Sequence, residues 1–336
     1  MELRDIFKIL SYGVSKKGYP IWADQVMSKG DGYLMTSNLS VYVRVKCDEL
    51  QFKGSMDFYP LYQMINRFDD LRFTLRGSEE EPKMVVESES GKFKGHILVA
   101  EIPDIPIPNI PPDGINVDIL SDYLELCSPF LGRDMGDYTG YINFMNGSAY
   151  VGDATRLLKI PDCVSKDVDG ALYGGFIPLL SYGDELTFYK DGNVWMVKFR
   201  DVDGIAVVSA QPHTPIPKGA ETLFNQIGDN IPICSISDLK KAVRDVGIAL
   251  YKETVKSIDL ENSNNVLRVK AESGLLGEMV AEIDSLCNIE FSTCVNMERL
   301  MSIPDGFTFC YHQRIEDVLV FRKDDVTCLV APIRRV

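Results

Sequence analysis

Short segments in which apolar and polar residues alternate recur along this chain, each beginning just after a polar turn. Three of them are residues 70–75, 185–189 and 306–310. Their first residues are 115 and 121 positions apart. Two further apolar stretches follow each segment, separated by turns rich in Gly, Asp and Lys, as antiparallel hairpins require. The pattern predicts three matched groups of antiparallel strands.

A second set of landmarks repeats with the same period. In each case a polar turn leads into a strand that ends on a small polar residue. These stretches are residues 32–38, 147–153 and 265–273. Their closing residues, Asn38, Asp153 and Ser273, are 115 and 120 positions apart. Because two independent landmarks give one period, the chain is predicted to be an internal repeat.

Each repeat also opens with the periodicity of an amphipathic helix. The apolar positions are Leu3, Ile6, Leu10 and Val14 in the first helix, and Leu239, Val243, Val246 and Leu250 in the third. Ser235 or Ser237 can cap the third helix, because a serine oxygen accepts a hydrogen bond from a free amide of the first turn. The middle helix, at about residues 120–130, is shorter because Pro129 stops it.

A second helical segment precedes the alternating strand of each repeat. These segments are residues 61–68, 176–180 and 297–303. Pro178 makes the middle one the weakest helix former. Two proline-rich runs, within residues 102–112 and 211–218, are extended and typical of linkers. The chain is therefore predicted to contain three α+β domains, at residues 1–113, 114–222 and 223–336.

Composition narrows the class of protein. The 336 residues are 45% hydrophobic, which is enough to bury a core, and the formal net charge is −14. A chain this acidic is not coated with basic surface, although its cations can still be gathered in one place. The eight cysteines form no Cys-x-x-Cys pair, which favours buried free thiols in a reducing compartment. With no signal peptide and no apolar run long enough for a bilayer, a soluble intracellular protein is expected.

No catalytic constellation is evident. The three histidines, His96, His213 and His312, stand in no metal-ligand or triad pattern. Gly91 and residues 174–175 occur without a phosphate-binding loop, and no pair of carboxylates is spaced in a telling way. The chain is therefore predicted to be neither an enzyme nor a cofactor-binding or metal-binding protein.

Four stretches carry a resemblance to a known family. Residues 36–39 (Thr-Ser-Asn-Leu) resemble its Gly-Thr-Asp-Leu, and residues 101–109 resemble its first proline-rich linker, which ends Phe-Pro-Asn. Residues 153–157 (Asp-Ala-Thr-Arg-Leu) are similar to Asp-Gly-His-Arg-Leu, and residues 329–334 (Leu-Val-Ala-Pro-Ile-Arg) to Val-Val-Met-Pro-Met-Arg. In order and spacing the chain resembles the bacterial DNA polymerase III β sliding clamp family along nearly its whole length. A short middle domain and one or two extra C-terminal residues indicate a divergent member, bacterial or phage-encoded.

The resemblance implies an α+β DNA-clamp fold of three repeated domains, with helices on the inside and antiparallel sheets on the outside. It implies a head-to-tail homodimeric ring that encircles double-stranded DNA without reading sequence. The expected partners are a DNA polymerase, a clamp loader and other proteins with a clamp-binding motif. It also implies that no membrane is involved and that the protein works in the bacterial cytoplasm, or in the host cytoplasm if it is phage-encoded.

Candidate DNA-binding residues lie on the polar faces of the opening helices. Lys240, Lys241 and Arg244 are placed opposite the apolar stripe of the third helix, with Lys252 after its end. Residues 236–256 carry a net charge of +2 within an acidic chain. The alternative is an ordinary solvated helix face.

The first helix offers Arg4 and Lys8, and Lys16 and Lys17 follow in the next loop. The resemblance places that loop where the family positions an arginine near DNA. The middle helix carries acidic residues, so the basic lining is expected to be uneven.

The resemblance also implies a hydrophobic cleft that takes a short linear peptide from polymerase, loader and repair proteins. Its walls here would be Tyr138, Ala154, Thr155, Arg156, Leu157, Leu329, Ala331, Pro332, Ile333 and Arg334. Apolar side chains would supply most of the affinity, and an arginine could bind a carboxylate or carbonyl group of the peptide. Ala331 replaces a larger residue of the family, which implies a wider cleft. The alternative is that Leu157 and Leu329 are simple core residues.

Two other functions remain open from the residues alone. One is a β-rich structural or virion protein of three repeated domains, and the other is an unrecognised hydrolase. The first predicts no basic face on the opening helices and no role for the C-terminus. The second predicts that activity is lost when one buried carboxylate or histidine is changed.

Overall fold

The chain forms two compact units in a computed structural model. The first unit comprises Met1–Asp118 and Gly175–Gln211, and the second comprises Ile119–Gly174 and Pro212–Val336. The structure describes residues 1–15, 20–78, 81–105, 107–119, 121–132, 137–209, 212, 214–217, 219–228, 230–313, 315 and 317–333. Residues 114–222 contribute to both units, so the three-domain division made from the sequence stays a prediction.

Helices and strands alternate along the described residues much as the repeat predicts. The α-helices are α1 (Leu3–Leu10), α2 (Phe58–Arg67), α3 (Ser121–Cys127), α4 (Ile177–Leu180), α5 (Gly219–Asn225), α6 (Ile236–Gly247) and α7 (Met297–Met301). The strands are β1 (Gln25–Lys29), β2 (Tyr33–Ser37), β3 (Val41–Lys46), β4 (Lys53–Asp57), β5 (Leu71–Gly77), β6 (Pro82–Ser88), β7 (Lys94–Leu98), β8 (Ile115–Asn116), β9 (Tyr141–Met145), β10 (Ser148–Asp153), β11 (Arg156–Ile160), β12 (Gly170–Tyr173), β13 (Gly183–Tyr189), β14 (Val194–Phe199), β15 (Gly204–Val208), β16 (Ile231–Ser235), β17 (Ser257–Ser263), β18 (Val266–Ser273), β19 (Gly277–Asp284), β20 (Phe291–Asn296), β21 (Thr308–Tyr311), β22 (Leu319–Lys323) and β23 (Val326–Val330).

The described part of the first unit contains one large and one small antiparallel sheet. The eight-stranded sheet has the order β4-β1-β2-β3-β15-β14-β13-β8, and the three-stranded sheet has the order β5-β6-β7. In the large sheet Phe188 pairs with Trp195, and the two buried rings lie 4.6 Å apart. A cluster on this sheet comprises Met27, Met35, Tyr42, Tyr189, Val194 and Val207.

The second unit repeats this plan. Its eight-stranded sheet has the order β12-β9-β10-β11-β23-β22-β21-β16, and a four-stranded sheet has the order β19-β18-β17-β20. Helix α6 buries Leu239, Val243 and Val246 and packs on β18 and β19. Burial alternates along β18, because every second residue directs its side chain toward the face of the sheet on which α6 packs.

Most local predictions are confirmed, with one shortened helix. The middle helix α3 ends at Cys127, just before Pro129, and α4 is a single turn. Ser235 caps α6, because its hydroxyl accepts a hydrogen bond from the Asp238 amide at 3.1 Å. The first helix was expected to reach Val14, but α1 ends at Leu10 and a 3-10 turn follows it.

All eight cysteines are buried thiols outside any disulfide, as the sequence predicts. Burial raises the pKa of Cys234 to about 12 and that of Cys163 and Cys310 to about 11. These thiols therefore stay protonated near neutral pH and are weak nucleophiles. Within the described ranges, no group of His, Cys, Asp and Glu side chains is arranged to hold a metal ion. None of the described helices combines the length and apolarity required to cross a bilayer.

The cap of α6 provides a direct test of the fold. Replacing Ser235 with Ala removes the acceptor for the Asp238 amide, so the free energy of unfolding should fall by about 1 kcal/mol. Ser237→Ala is the matched control, because Ser237 is exposed inside the helix and should change stability by only a few tenths of a kcal/mol. Urea denaturation measures both. Equal losses in the two variants would contradict the cap assignment.

Candidate functional site

An apolar cleft of about 470 Å³ lies on the second unit, over the place where β11 pairs with β23. The pairing sets Leu157 directly opposite Leu329. Leu329 is buried in the floor, whereas Leu157 is half-buried and open to the cleft. A lining of this kind binds ligands through apolar contact rather than through charge.

The turn between β10 and β11 forms one wall. One carboxylate oxygen of Asp153, Oδ1, accepts hydrogen bonds from the Thr155 amide (2.7 Å), the Thr155 hydroxyl (2.6 Å) and the Arg156 amide (2.9 Å). The backbones of β10 and β11 approach so closely here that a Cβ on Gly152 would lie 2.1 Å from the carbonyl oxygen of Arg156. Asp153 and Gly152 therefore fix the shape of this turn.

The Arg156 side chain donates four hydrogen bonds within the protein. Its Nε and Nη2 atoms donate to Asp153 Oδ2 at 3.2 and 2.8 Å. Its Nη1 atom donates to the carbonyl oxygen of Pro129 (3.1 Å) and to the hydroxyl of Ser302 (2.6 Å). The guanidinium carbon lies 5.6 Å from the centre of the Phe130 ring. Most of the donors of this arginine are thus used to fix the wall.

The contact between Asp153 and Arg156 affects the pKa of the Asp153 carboxyl group. Burial alone would raise the pKa of Asp153, but the hydrogen bonds from Thr155 and Arg156 outweigh it and hold that pKa below its ordinary value. The sequence predicts that an arginine binds a carboxylate or carbonyl group of a peptide. Arg156 already has a carboxylate partner in Asp153, and its contacts with Pro129 and Ser302 hold the wall in place.

Helix α5 and the segment before it form the opposite wall. The ring of Phe224 packs 5.9 Å from that of Tyr150, and both belong to one buried cluster with Val318 and Val320. Lys159 Nζ lies over both rings, at 5.6 Å from Tyr150 and 5.8 Å from Phe224. These contacts anchor α5 to the sheet and hold the second wall in place.

The segment after β23 follows the edge of the cleft. The Ala331 amide donates to the Thr155 carbonyl at 2.8 Å, and the Ile333 amide donates to the Cys294 carbonyl at 2.7 Å. Arg299 Nη1 donates to the carbonyl oxygen of Ala331 at 3.2 Å. The C-terminal segment is thereby fixed against the turn that carries Arg156.

Seven of the ten predicted cleft residues line the cavity together. They are Tyr138, Ala154, Thr155, Arg156, Leu157, Leu329 and Ala331. Pro332 and Ile333 are half-buried beside it but are not part of the lining, and Arg334 lies outside the described residues.

Sequence reasoning missed the wall opposite the turn. The missed apolar residues are Ile216, Pro217, Ala220, Leu223, Ile227 and Val318. The signal that could have found them is the apolar spacing of Ala220, Leu223 and Ile227, which follows directly on a run interpreted as a linker.

The predicted cations of the first unit differ in their contacts. Arg4 donates from Nε to the Ile65 carbonyl at 2.9 Å, and its Nη2 pairs with Asp69 at 2.6 Å. Lys8 is exposed on the same helix. Lys16 and Lys17 lie outside the described residues.

The third predicted helix needs one correction. Lys240 was placed on the solvent side with Lys241 and Arg244, but it is only 8% exposed and its Nζ pairs with Asp305 at 2.7 Å. Position 240 flanks the apolar stripe, so its aliphatic stem is buried while the ammonium reaches the edge. Lys241, Arg244 and Lys252 are exposed as predicted.

The fold matches solved structures of bacterial DNA polymerase III β subunits over almost the whole chain. The β subunit of Pseudomonas aeruginosa is 17% identical, with a TM-score of 0.78 over 99% of this chain and 98% of that one. The Thermotoga maritima β subunit is 17% identical, with a TM-score of 0.79 over 100% and 98%. The Bacillus subtilis sliding clamp is 11% identical, with a TM-score of 0.80 over 99% and 97%.

No protein-family model and no curated protein matches the sequence. The likeness to solved structures establishes the fold alone. It is the α+β sliding-clamp fold that the sequence predicted.

The Arg156 contacts generate a prediction about stability and pH. Arg156→Lys keeps the charge but cannot reach Asp153, Pro129 and Ser302 together, so the free energy of unfolding should fall by about 2 kcal/mol at pH 7. Because the pKa of Asp153 is depressed, its contribution is complete above the unfolded value of about 3.9 and is lost as pH falls through the folded value. The difference between the two proteins should therefore shrink below about pH 4.

Denaturant melts at a series of pH values measure this difference. The matched control is Arg322→Lys, because Arg322 is exposed on β22 and should lose almost nothing. A loss that is the same at pH 7 and at low pH would contradict the assigned role of the Asp153 carboxylate.

Proposed function

We propose that this protein is a sliding clamp, a non-catalytic processivity factor that closes as a homodimeric ring around duplex DNA in the cytoplasm and tethers a DNA polymerase. The observation that carries the proposal is the likeness of the fold to β subunits along the full length of both chains. Function is assigned from sites rather than from fold alone, so three features of the chain must support it. They are a pair of free strand edges, a set of exposed cations and the apolar cleft.

Two of the terminal strands in the described sheets are β5 and β19. Each is the terminal strand of its sheet, so one row of its backbone amides and carbonyls is available to another chain. Leu75 on β5 and Val280 on β19 are each about half exposed. Leu275 and Leu276, in the turn before β19, are also exposed. Exposed apolar side chains on an open strand edge are typical of a surface that another strand covers.

The two edges carry side chains of opposite charge. Within one copy Arg72 also pairs with Glu89 on its own hairpin, and Glu278 and Glu282 also pair with cations of β18. Arg72 and Arg76 occupy alternate, exposed positions of β5. Glu278, Glu282 and Asp284 occupy alternate positions on the exposed face of β19. If β5 of one copy pairs with β19 of another, opposite charges lie side by side across the joint. Each copy has one edge of each kind, so two copies joined head to tail form two identical joints and close a ring.

The exposed cations suit contact with a DNA backbone. Lys241 lies in the middle of α6, Arg244 lies in its last turn, and Lys252 follows the helix. Contacts of this kind attract phosphates without reading bases. A ring needs no stronger contact, because it is retained by topology, and the remaining acidic surface of the chain disfavours DNA binding elsewhere.

The cleft is the proposed docking site for partners. Its apolar lining and preformed walls suit a short peptide with two or more large apolar side chains, carried by the polymerase, the clamp loader or other proteins with a clamp-binding motif. Arg334 and Ile333 are proposed to contact that peptide as well. One cleft per subunit would let a dimeric ring hold two partners at once.

Charge reversal of the edge strands tests the ring. The double variant Arg72→Glu with Arg76→Glu gives two acidic edges, and Glu278→Lys with Glu282→Lys gives two basic edges. Each should be monomeric alone, because like charges now face each other at both joints. An equimolar mixture should restore a dimer of one copy of each, since both joints are then complementary. Light scattering coupled to size exclusion measures the mass.

The matched control is Lys46→Glu with Lys53→Glu, which reverses two exposed lysines on other strands. This control should remain a dimer. Dimers of either edge variant alone, or a mixture that stays monomeric, would reject β5 and β19 as the joint.

The cleft prediction concerns Leu223, which is 37% exposed on α5 at the cleft wall. Leu223→Asp should fold normally and dimerise, but stimulation of the polymerase on primed circular DNA should fall about tenfold or more, because the peptide no longer meets an apolar anchor there. Leu286→Asp is the control, because Leu286 is 76% exposed and does not line the cleft. Product length in primer extension measures both. Full stimulation by Leu223→Asp would place partner binding elsewhere.

A further inference from the structure

The lining of the cleft carries few charges. Among the described residues that line it, the charged side chains are Asp153, Arg156 and Asp317. Asp153 and Arg156 pair with each other at 2.8 Å, and their side chains are only 31% and 16% exposed. Because these two charges are opposite and adjacent, they largely cancel for a ligand in the cleft. The charge that remains is the carboxylate of Asp317, which is exposed to solvent.

Asp317 belongs to the connection between β21 and β22. This connection starts at His312, which is buried and also lines the cleft. The carbonyl oxygen of His312 accepts a hydrogen bond from the amide of Ile315 at 3.0 Å, and Ile315 is itself buried. Val318, directly after Asp317, is buried in the cluster that contains Leu329. Buried residues on both sides of Asp317 therefore fix the position of its backbone beside the cleft.

The register of the sheet brings Asp317 to the same end of the cleft as Ala331. Strand β22 pairs with β23 so that Leu319 lies opposite Val330. Asp317 precedes that pair by two residues, and Ala331 follows it by one, so both segments leave the sheet at the same end. Both residues line the cleft. One end of the cleft is therefore bounded by a carboxylate and by the segment that carries Ala331.

Ala331 offers a ligand little more than a methyl group. Its amide donates to the Thr155 carbonyl at 2.8 Å, and its carbonyl oxygen accepts from Arg299 Nη1 at 3.2 Å. Its backbone groups are thus used within the protein, and its side chain is small. A long unbranched side chain of a ligand can lie along such a surface, with its aliphatic part on apolar groups and its charged end at a carboxylate.

We propose that the cleft selects peptides in which a lysine or arginine flanks the large apolar side chains, and that Asp317 binds this cation. The inference rests on the proposed docking function of the cleft and names the class of peptide that it prefers. Asp317 also interacts within its own chain. A carboxylate offers about four acceptor sites on its two oxygens, so it can bind a ligand cation as well. An acidic residue at the same place in the peptide is disfavoured, because like charges repel.

The net charge of the whole chain calls for a matched control. At −14, the protein attracts any cationic peptide weakly, whichever surface the peptide meets. Asp324→Asn removes one negative charge from the turn of the same β22–β23 hairpin, where Asp324 is exposed and does not line the cleft. Asp324 has a φ of 50°, which Asn adopts readily, so this variant should fold. A local contact with Asp317 must respond to Asp317→Asn and not to Asp324→Asn.

The experiment measures, by fluorescence polarisation near neutral pH, the affinity of the full chain for short fluorescein-labelled peptides. All peptides share one leucine and one phenylalanine, and each carries Lys, Gln or Glu at a single position before or after them. At one of the two flanks, Lys should bind the unaltered protein about three- to fivefold more tightly than Gln, and Glu should bind more weakly than Gln. Asp317→Asn should remove this preference, Asp317→Lys should reverse it, and Asp324→Asn should retain it.

The outcomes distinguish this inference from the function on which it rests. Equal affinities for the Lys and Gln peptides, with binding of both lost in Leu223→Asp, would overturn the role of Asp317 and leave the cleft as the docking site. A preference for Lys that survives Asp317→Asn would also overturn it, because the cation would then be bound elsewhere. Normal binding of every peptide by Leu223→Asp, or no binding by the unaltered protein, would overturn the docking function of the cleft and this inference together.

Discussion

Backbone pairing between strands that are distant in sequence is the constraint on which the rest of each unit depends. In the second unit β11 pairs with β23 and sets Leu157 opposite Leu329, and in the first unit β3 pairs with β15 and sets Val43 opposite Ala206. Each pairing closes an eight-stranded sheet that neither group of strands can complete alone. Pairing strands that are distant in sequence costs chain entropy before the hydrogen bonds and buried area of the sheet are gained. Each large sheet therefore forms only when both of its groups of strands can pair.

The cleft is a direct product of this closure. The floor consists of residues from β11 and β23, so it exists only where those strands meet. The Asp153 carboxylate and Arg156 then rigidify the turn beside it, and Arg156 also reaches Ser302, which is distant in the sequence. A rigid wall of this kind would lose little entropy if the proposed peptide binds there, which favours useful affinity from few contacts.

The sequence predicted those features that depend on residues close together in the chain. Alternating apolar residues predicted the strands, Pro129 and Pro178 shortened the middle helices, and the Ser235 cap was one of two permitted choices. Lys240 was misplaced because a position at the flank of an apolar stripe is decided by neighbouring elements, here the segment that carries Asp305. The wall made by α5 was missed for the same reason, since only the assembled sheet shows that Leu223 and Leu157 line the same cavity.

The contacts of Arg156 show what the motif at residues 153–157 does not predict. Residues 153–157 were identified from a pattern, and that pattern placed the turn correctly at the cleft. It did not show that the guanidinium also donates to Pro129 and Ser302, because those two partners are set by tertiary contact. Spacing in a sequence identifies a candidate, whereas hydrogen-bond partners decide whether its donors are available.

In the proposed clamp, DNA is retained because the ring surrounds it, so contacts with the backbone can stay weak. The most direct measurement follows labelled protein loaded on a nicked circular plasmid before and after a single double-strand cut. A clamp should remain on the circle and be lost within the time needed to slide off the new ends. Equal release from circular and linear DNA would contradict a ring and leave only the fold.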